Sequence, residues 1–242
     1  MNKRICITLA LLAFASLTFA QNVVFETIYL EPKTESLKEM GEKMKSHNEK
    51  YHATAPYTAS VWQVLTGQNS GKLLWIMGPF TFADLDSRPS DGGHDEDWMG
   101  NVLPLTHGMS DGYYWKLRPD NMYLPSEGYR GKIMRVRILD IKRGKWEEFG
   151  NMMAMVMQVY NEKKLDNSMA IYNNVVTDQN RDVALVWQYD NYAYFDNDMQ
   201  FSKLYEEVHG DNSWHHFNEA MREIVESASD ELLEVMPEMT PQ

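Results

Sequence analysis

The chain repeats itself, and that repeat limits the possible folds more than any other feature. Leu37-x-x-Met40-Gly41-x-x-Met44 is answered by Trp146-x-x-Phe149-Gly150-x-x-Met153, and Tyr51 by Tyr160, each pair 109 positions apart. Further on, Phe82-Ala83-Asp84-Leu85-Asp86 is answered by Tyr192-Ala193-Tyr194-Phe195-Asp196 at a distance of 110. A register held over about sixty residues marks a duplicated structural unit.

Both copies read in the same order. In the first, Asn22–Leu30 is rich in β-branched and aromatic residues and stops at Pro32, as a strand does. Thr34 is the expected N-cap of a helix to Tyr51. Leu37, Met40, Gly41, Met44, His47, Asn48 and Tyr51 fall on one helical face, opposite a charged stripe of Lys38, Glu42, Lys45 and Glu49. Strands are expected at Thr58–Leu65 and Lys72–Met77, joined through Gly67 to Gly71. A short helix within Asp95–His107, cut by Pro104, precedes a last strand at Tyr113–Leu117. The second copy gives strands at 132–141, 168–176, 182–189 and 231–236, with helices at 144–162, 201–209 and 213–227. The expected organisation is a first unit at 21–118, a Pro- and Gly-containing linker at 119–131 and a second unit at 132–242.

Strand-helix-strand-strand-helix-strand is the ferredoxin-like order. On the repeat and this order, the chain resembles a tandem member of the dimeric α+β-barrel superfamily. That group includes antibiotic-biosynthesis-type monooxygenases, EthD-like and NIPSNAP-like proteins, and haem-binding chlorite dismutases. The resemblance implies an α+β fold in which two ferredoxin-like βαββαβ repeats pack as an intramolecular dimeric α+β barrel, helices outside, with ligands between helix and sheet. It covers nearly all of residues 21–242 but carries over no site residue, because no diagnostic motif of any one of these families is present. Fold analogy alone does not confer function.

Charge and composition narrow the partners. Net charge is −12, and no basic cluster exceeds Lys142-Arg143, so nucleic acid is not an expected partner. Lys3 and Arg4, the apolar run Ile5 to Phe19 and small residues before Gln21 have the form of a cleavable secretory signal at residues 1–20. Its removal would take the charge to −14, since it carries two cations and no acid. The expectation is an exported protein, periplasmic or extracellular, without a membrane span. The one cysteine, Cys6, lies within that signal. The remaining chain therefore has no disulfide, thiol nucleophile or thiolate metal site.

The candidate ligand-binding residues are His47, Asn48, Tyr51 and Trp62, with Trp75 as an alternative wall. His47 and Asn48 interrupt a core-facing stripe whose second copy carries Val156 and Met157. Buried polar groups need partners or a wet cavity. If the protein is an enzyme, the resemblance favours cofactor-free oxygenation or isomerisation, with His47 as proton acceptor and Asn48 as orienting donor. His209, Asp211, His215 and His216 match no metal-ligand spacing, and Asp91 to Asp97 departs from the EF-hand pattern. Arg135 and Arg137 share one strand face and either grip a carboxylate ligand or pair with nearby acids. In the Met-rich run 152–157, part should be exposed or should face another subunit.

The leading expectation is an exported α+β-barrel protein that binds a small, partly apolar molecule, with no metal site and no cofactor. The alternatives are a non-catalytic secreted interaction module, in which the Met-rich helix serves a homo-oligomer or another partner, and a haem- or metal-binding protein.

Overall fold

A computed structural model describes residues 23–88, 92–110, 112–176, 181–196 and 200–241. The expected signal, residues 1–20, lies outside the described residues. The elements in order are β1 (Val24–Pro32), α1 (Leu37–Tyr51), β2 (Ala59–Val64), β3 (Leu73–Phe80) and the short α2 (Phe82–Leu85) and α3 (His94–Asp97). Next come β4 (Thr106–Met109), β5 (Tyr113–Tyr123), β6 (Ile133–Ile141) and α4 (Trp146–Lys163). The chain continues through β7 (Ser168–Asn174), β8 (Val183–Tyr189), α5 (Phe201–His209), α6 (Ser213–Ile224) and β9 (Val225–Val235).

Eight strands close a barrel in the order β1-β3-β2-β9-β6-β8-β7-β5 and back to β1, every neighbour antiparallel. β4 adds to the far end of β1. The expected mixed α+β barrel is therefore the observed one. Side chains alternate across its wall. Met134, Val136 and Ile138 of β6 point inward to meet Tyr29, Trp62, Leu74, Trp115 and Leu233. Leu139 and Ile141 of the same strand point outward beneath Phe149, Met153 and Val156 of α4. On the other side of the barrel, Leu30, Val61, Leu73, Trp75 and Met77 lie under Met40 and Met44 of α1.

Several boundaries differ from expectation. The helix expected to run to Ser227 ends at Ile224, and the last strand starts at Val225 rather than 231. β9 pairs with β6 from Ile141↔Val225 to Ile133↔Glu234, so a full ladder overrides the helical pattern there. β5 continues to Tyr123 through Pro119, which falls in an irregular stretch of the β5–β7 pairing between Leu117 and Met122. Proline is tolerated at such a break because no ladder bond is lost. Thr34 starts a tight turn instead of capping α1, which begins at Leu37. The Met-rich run needs no second subunit to cover it. Met155 packs beneath α5, where the Tyr205 hydroxyl lies 3.5 Å from its sulfur, and Ala154 takes the exposed position.

Candidate functional site

The apolar stripe of α1 carries His47 and Asn48 into full burial, but their surroundings differ. The Asn48 side-chain amide donates to the Met239 carbonyl at 2.8 Å, and its oxygen accepts from Trp75 Nε1 at 3.1 Å. Asn48 thus ties the C-terminal segment and a core indole to α1. His47 turns instead into a cluster of rings. Its centroid lies 5.0 Å from Tyr51, 5.2 Å from His52, 5.0 Å from His94 and 5.1 Å from Trp98. Trp75 stands edge-on to His52 at 5.1 Å and forms the inner wall. Trp62 is not part of this cleft. It pairs with Leu74, one residue out of phase with Trp75, and so points into the barrel.

Three histidines meet here, of which the apolar stripe of α1 marks only His47. His52 follows the last turn of α1, and His94 opens α3. Each gives its Nδ1 to an acceptor: His47 to Asp97 Oδ2 at 2.7 Å, His52 to the Tyr57 carbonyl at 2.9 Å, and His94 to Asp95 Oδ1 at 2.8 Å. A carbonyl and a carboxylate only accept, so Nδ1 carries the hydrogen in all three. The acid-rich stretch that fails as a calcium loop therefore supplies two carboxylates to imidazoles. The sequence held the signal, His94-Asp95 and Asp97, but not the contact of that loop with α1. Asp91 of the same stretch lies outside the described residues.

Burial drives His52 down to about 3, against the hydrogen bond to Tyr57 and with help from the neighbouring imidazoles. Burial likewise lowers His47, more than its bond to Asp97 raises it. For Asp97, burial acts upward, but hydrogen bonds from His47 and Asn101 outweigh it and hold the carboxyl below its ordinary value. Both buried histidines are thus neutral near pH 7, and each presents an Nε2 lone pair. His47 Nε2 is buried and meets no hydrogen-bond partner among the described residues. These rings line a cleft of about 560 Å³ with Trp75, Trp98, Leu85 and Arg88. Arg88 is bonded to Glu26 at 3.0 Å on its rim. Trp98 begins a π-helical turn, Trp98–Val102, that continues α3.

The other candidates do not assemble. His209 Nε2 bonds the Met155 carbonyl at 3.0 Å, and His215 and His216 are exposed on α6 beside Glu219. Arg135 and Arg137 both hold Asp230, at 2.9 and 2.7 Å. These two arginines border a larger cavity of about 820 Å³ between α4, α6 and the sheet, lined mainly by aromatic and aliphatic side chains. No imidazole or thiol among the described residues lines it.

No family model and no curated protein matches this chain. Solved structures match it as folds. A Lactobacillus acidophilus protein provisionally named a monooxygenase is 13% identical, with a TM-score of 0.56, over 88% of this chain and 94% of that one. An anthrone oxidase-like protein is 12% identical, with a TM-score of 0.56, over 89% and 92%. A haem-binding protein of Thermus thermophilus is 10% identical, with a TM-score of 0.54, over 90% and 93%. The chain thus has the dimeric α+β-barrel fold, and at these identities the likeness carries the fold alone.

Haem iron takes one or two axial side chains, which are imidazole, thiolate, thioether or phenolate. In the histidine cleft it would draw on one or two of His47, His52 and His94, whose ring nitrogens lie within 4.8 Å of one another. The larger cavity has no imidazole or thiol in its described lining, and there Tyr160, Tyr189, Tyr194, Met153 or Met169 would have to serve.

Proposed function

We propose that this chain is an exported α+β-barrel protein that binds a small, partly apolar molecule in the cleft beneath α1. The observation that carries this reading is the convergence of three buried or nearly buried imidazoles, one with an unpartnered Nε2, on a cleft walled by Trp75 and Trp98. The indoles suit the apolar part of a ligand, and the ring nitrogens suit its polar end as acceptors of a hydrogen bond or a proton. His47 and Tyr51 stay in the site, His52 and His94 join it, and Asn48 and Trp62 serve the core.

The same reading takes the protein as two ferredoxin-like repeats, 21–118 and 132–242, joined by 119–131. Strand order supports it: β5-β1-β3-β2 in the first half and β9-β6-β8-β7 in the second follow the same pattern. Export rests on the N-terminal sequence, and no described helix is long and apolar enough to cross a membrane. Sequencing the N-terminus of protein recovered outside the cytoplasm should find Gln21 first.

Thermal unfolding against a panel of small aromatic acids and quinones tests the cleft. We expect at least one compound to raise the midpoint of the parent, and the shift to vanish in His94→Ala, which removes one of the three imidazoles lining the cleft. Equal shifts in both proteins, or none in either, would remove the reading.

A further inference from the structure

We infer that His47, His52 and His94 form the binding site of a single divalent transition-metal ion, with the remaining coordination positions open to the cleft. This inference deepens the cleft reading and rests on it.

The three ring centroids form a nearly equilateral triangle, with sides of 5.2, 5.0 and 5.2 Å. With Nδ1 of every ring hydrogen-bonded, the nitrogen left to an ion is Nε2 in all three. Nε2 of His52 and Nε2 of His94 face each other at 3.1 Å. Metal–imidazole bonds of about 2.0–2.1 Å at tetrahedral angles put neighbouring nitrogens about 3.3 Å apart. In the neutral tautomers set by their Nδ1 partners, these two nitrogens would oppose lone pair to lone pair. A cation between them and His47 Nε2 removes that repulsion and gives the orphaned atom a partner.

The outer layer has the same character. Ligating histidines are typically oriented by a carboxylate or carbonyl on the second ring nitrogen, and Asp97, Asp95 and the Tyr57 carbonyl occupy those positions. Asp97 is held in turn by Asn101 Nδ2 at 2.7 Å. Three imidazoles select zinc, iron, cobalt, nickel or copper over calcium and magnesium, which prefer oxygen donors. Three protein ligands also leave a place for water or a ligand atom, the arrangement of a catalytic or ligand-binding ion rather than a closed structural one. The ion would supply a Lewis acid at the bottom of a cleft with indole walls.

The test uses the full chain, stripped with chelator and titrated with Zn²⁺ by calorimetry, and with Co²⁺ by visible absorption. One ion per chain is expected, with a Co²⁺ spectrum of low coordination number. His94→Ala should abolish binding, Asp97→Asn should weaken it about 10–100-fold, and His215→Ala should leave it unchanged. Circular dichroism confirms that each variant folds. No binding by the parent, or binding that survives His94→Ala and Asp97→Asn unchanged, overturns the ion. The small-molecule panel is run in parallel on stripped protein. Shifts that depend on His94 without any Zn²⁺ binding would overturn the ion and keep the cleft. Zn²⁺ binding that follows the expected variant order with no shift in the panel would keep the ion and overturn the small-molecule reading.

Discussion

Asn48 gives both ends of its carboxamide to the fold, one to Met239 and one to Trp75, and this makes its contribution measurable apart from the histidines. Asn48→Leu keeps the branched shape but leaves an indole N–H and a backbone carbonyl buried without partners. An unsatisfied buried group costs about 1–3 kcal/mol, so with two such groups the variant should lose about 2–6 kcal/mol. The loss should appear as a lower denaturant midpoint at unchanged slope. A loss below about 0.5 kcal/mol would mean that water or a neighbour replaces both bonds. The sequence marked His47 and Asn48 as one functional pair because both break the same stripe, and periodicity cannot separate them. It also left His52 and His94 unassigned. His94 is 47 positions beyond His47, and spacing along the chain does not report that a loop folds back onto a helix. What was legible was the need for partners. Their identity depended on contacts across the tertiary structure.

Elements follow the same logic. Strands and helices with strong period were readable, and the disagreements fall where one element borrows its stability from another. The helical pattern of α6 runs on through Val225 to Ser227, but β6 offers these residues a ladder and they join β9. That ladder places Arg137 opposite Asp230, with Arg135 reaching the same carboxylate. Burial acts to raise Asp230, but hydrogen bonds and charge from Arg137 and Arg135 outweigh it and hold the group below the ordinary carboxylate value. A depressed pKa stabilises the fold above the unfolded value of about 3.9 and loses that contribution as pH falls through the folded value. Asp230→Asn should therefore be less stable than the parent near pH 7, and the gap should close as pH falls from about 5 to about 2. Thermal midpoints of the two proteins across that range give the answer. A gap that stays constant would show that the two arginines contribute geometry rather than charge at this partly exposed site.

Across the whole molecule, the two halves do not close separate sheets. β2 meets β9 on one side of the barrel and β5 meets β7 on the other, so the inner core of Tyr29, Trp62, Trp115, Val136 and Leu233 draws on both. Unfolding either half would open both seams and expose that core, which argues for one cooperative transition. Tryptophan fluorescence, with Trp62 and Trp115 inside and Trp75 and Trp98 in the histidine cleft, should follow the same denaturation curve as far-UV circular dichroism. An ion at the three histidines joins the end of α1, the segment before β2 and α3, all in the first half. If the barrel couples the halves, the stabilisation must nevertheless appear in the whole curve. Zn²⁺ at a hundred times its dissociation constant should add about 2.7 kcal/mol to global stability. Both probes should move together by that amount, and neither should move in His94→Ala. If Zn²⁺ shifts the fluorescence of the cleft tryptophans but not the circular dichroism midpoint, the halves unfold independently. The seams β2–β9 and β5–β7 would then be contacts between two units rather than the wall of one barrel.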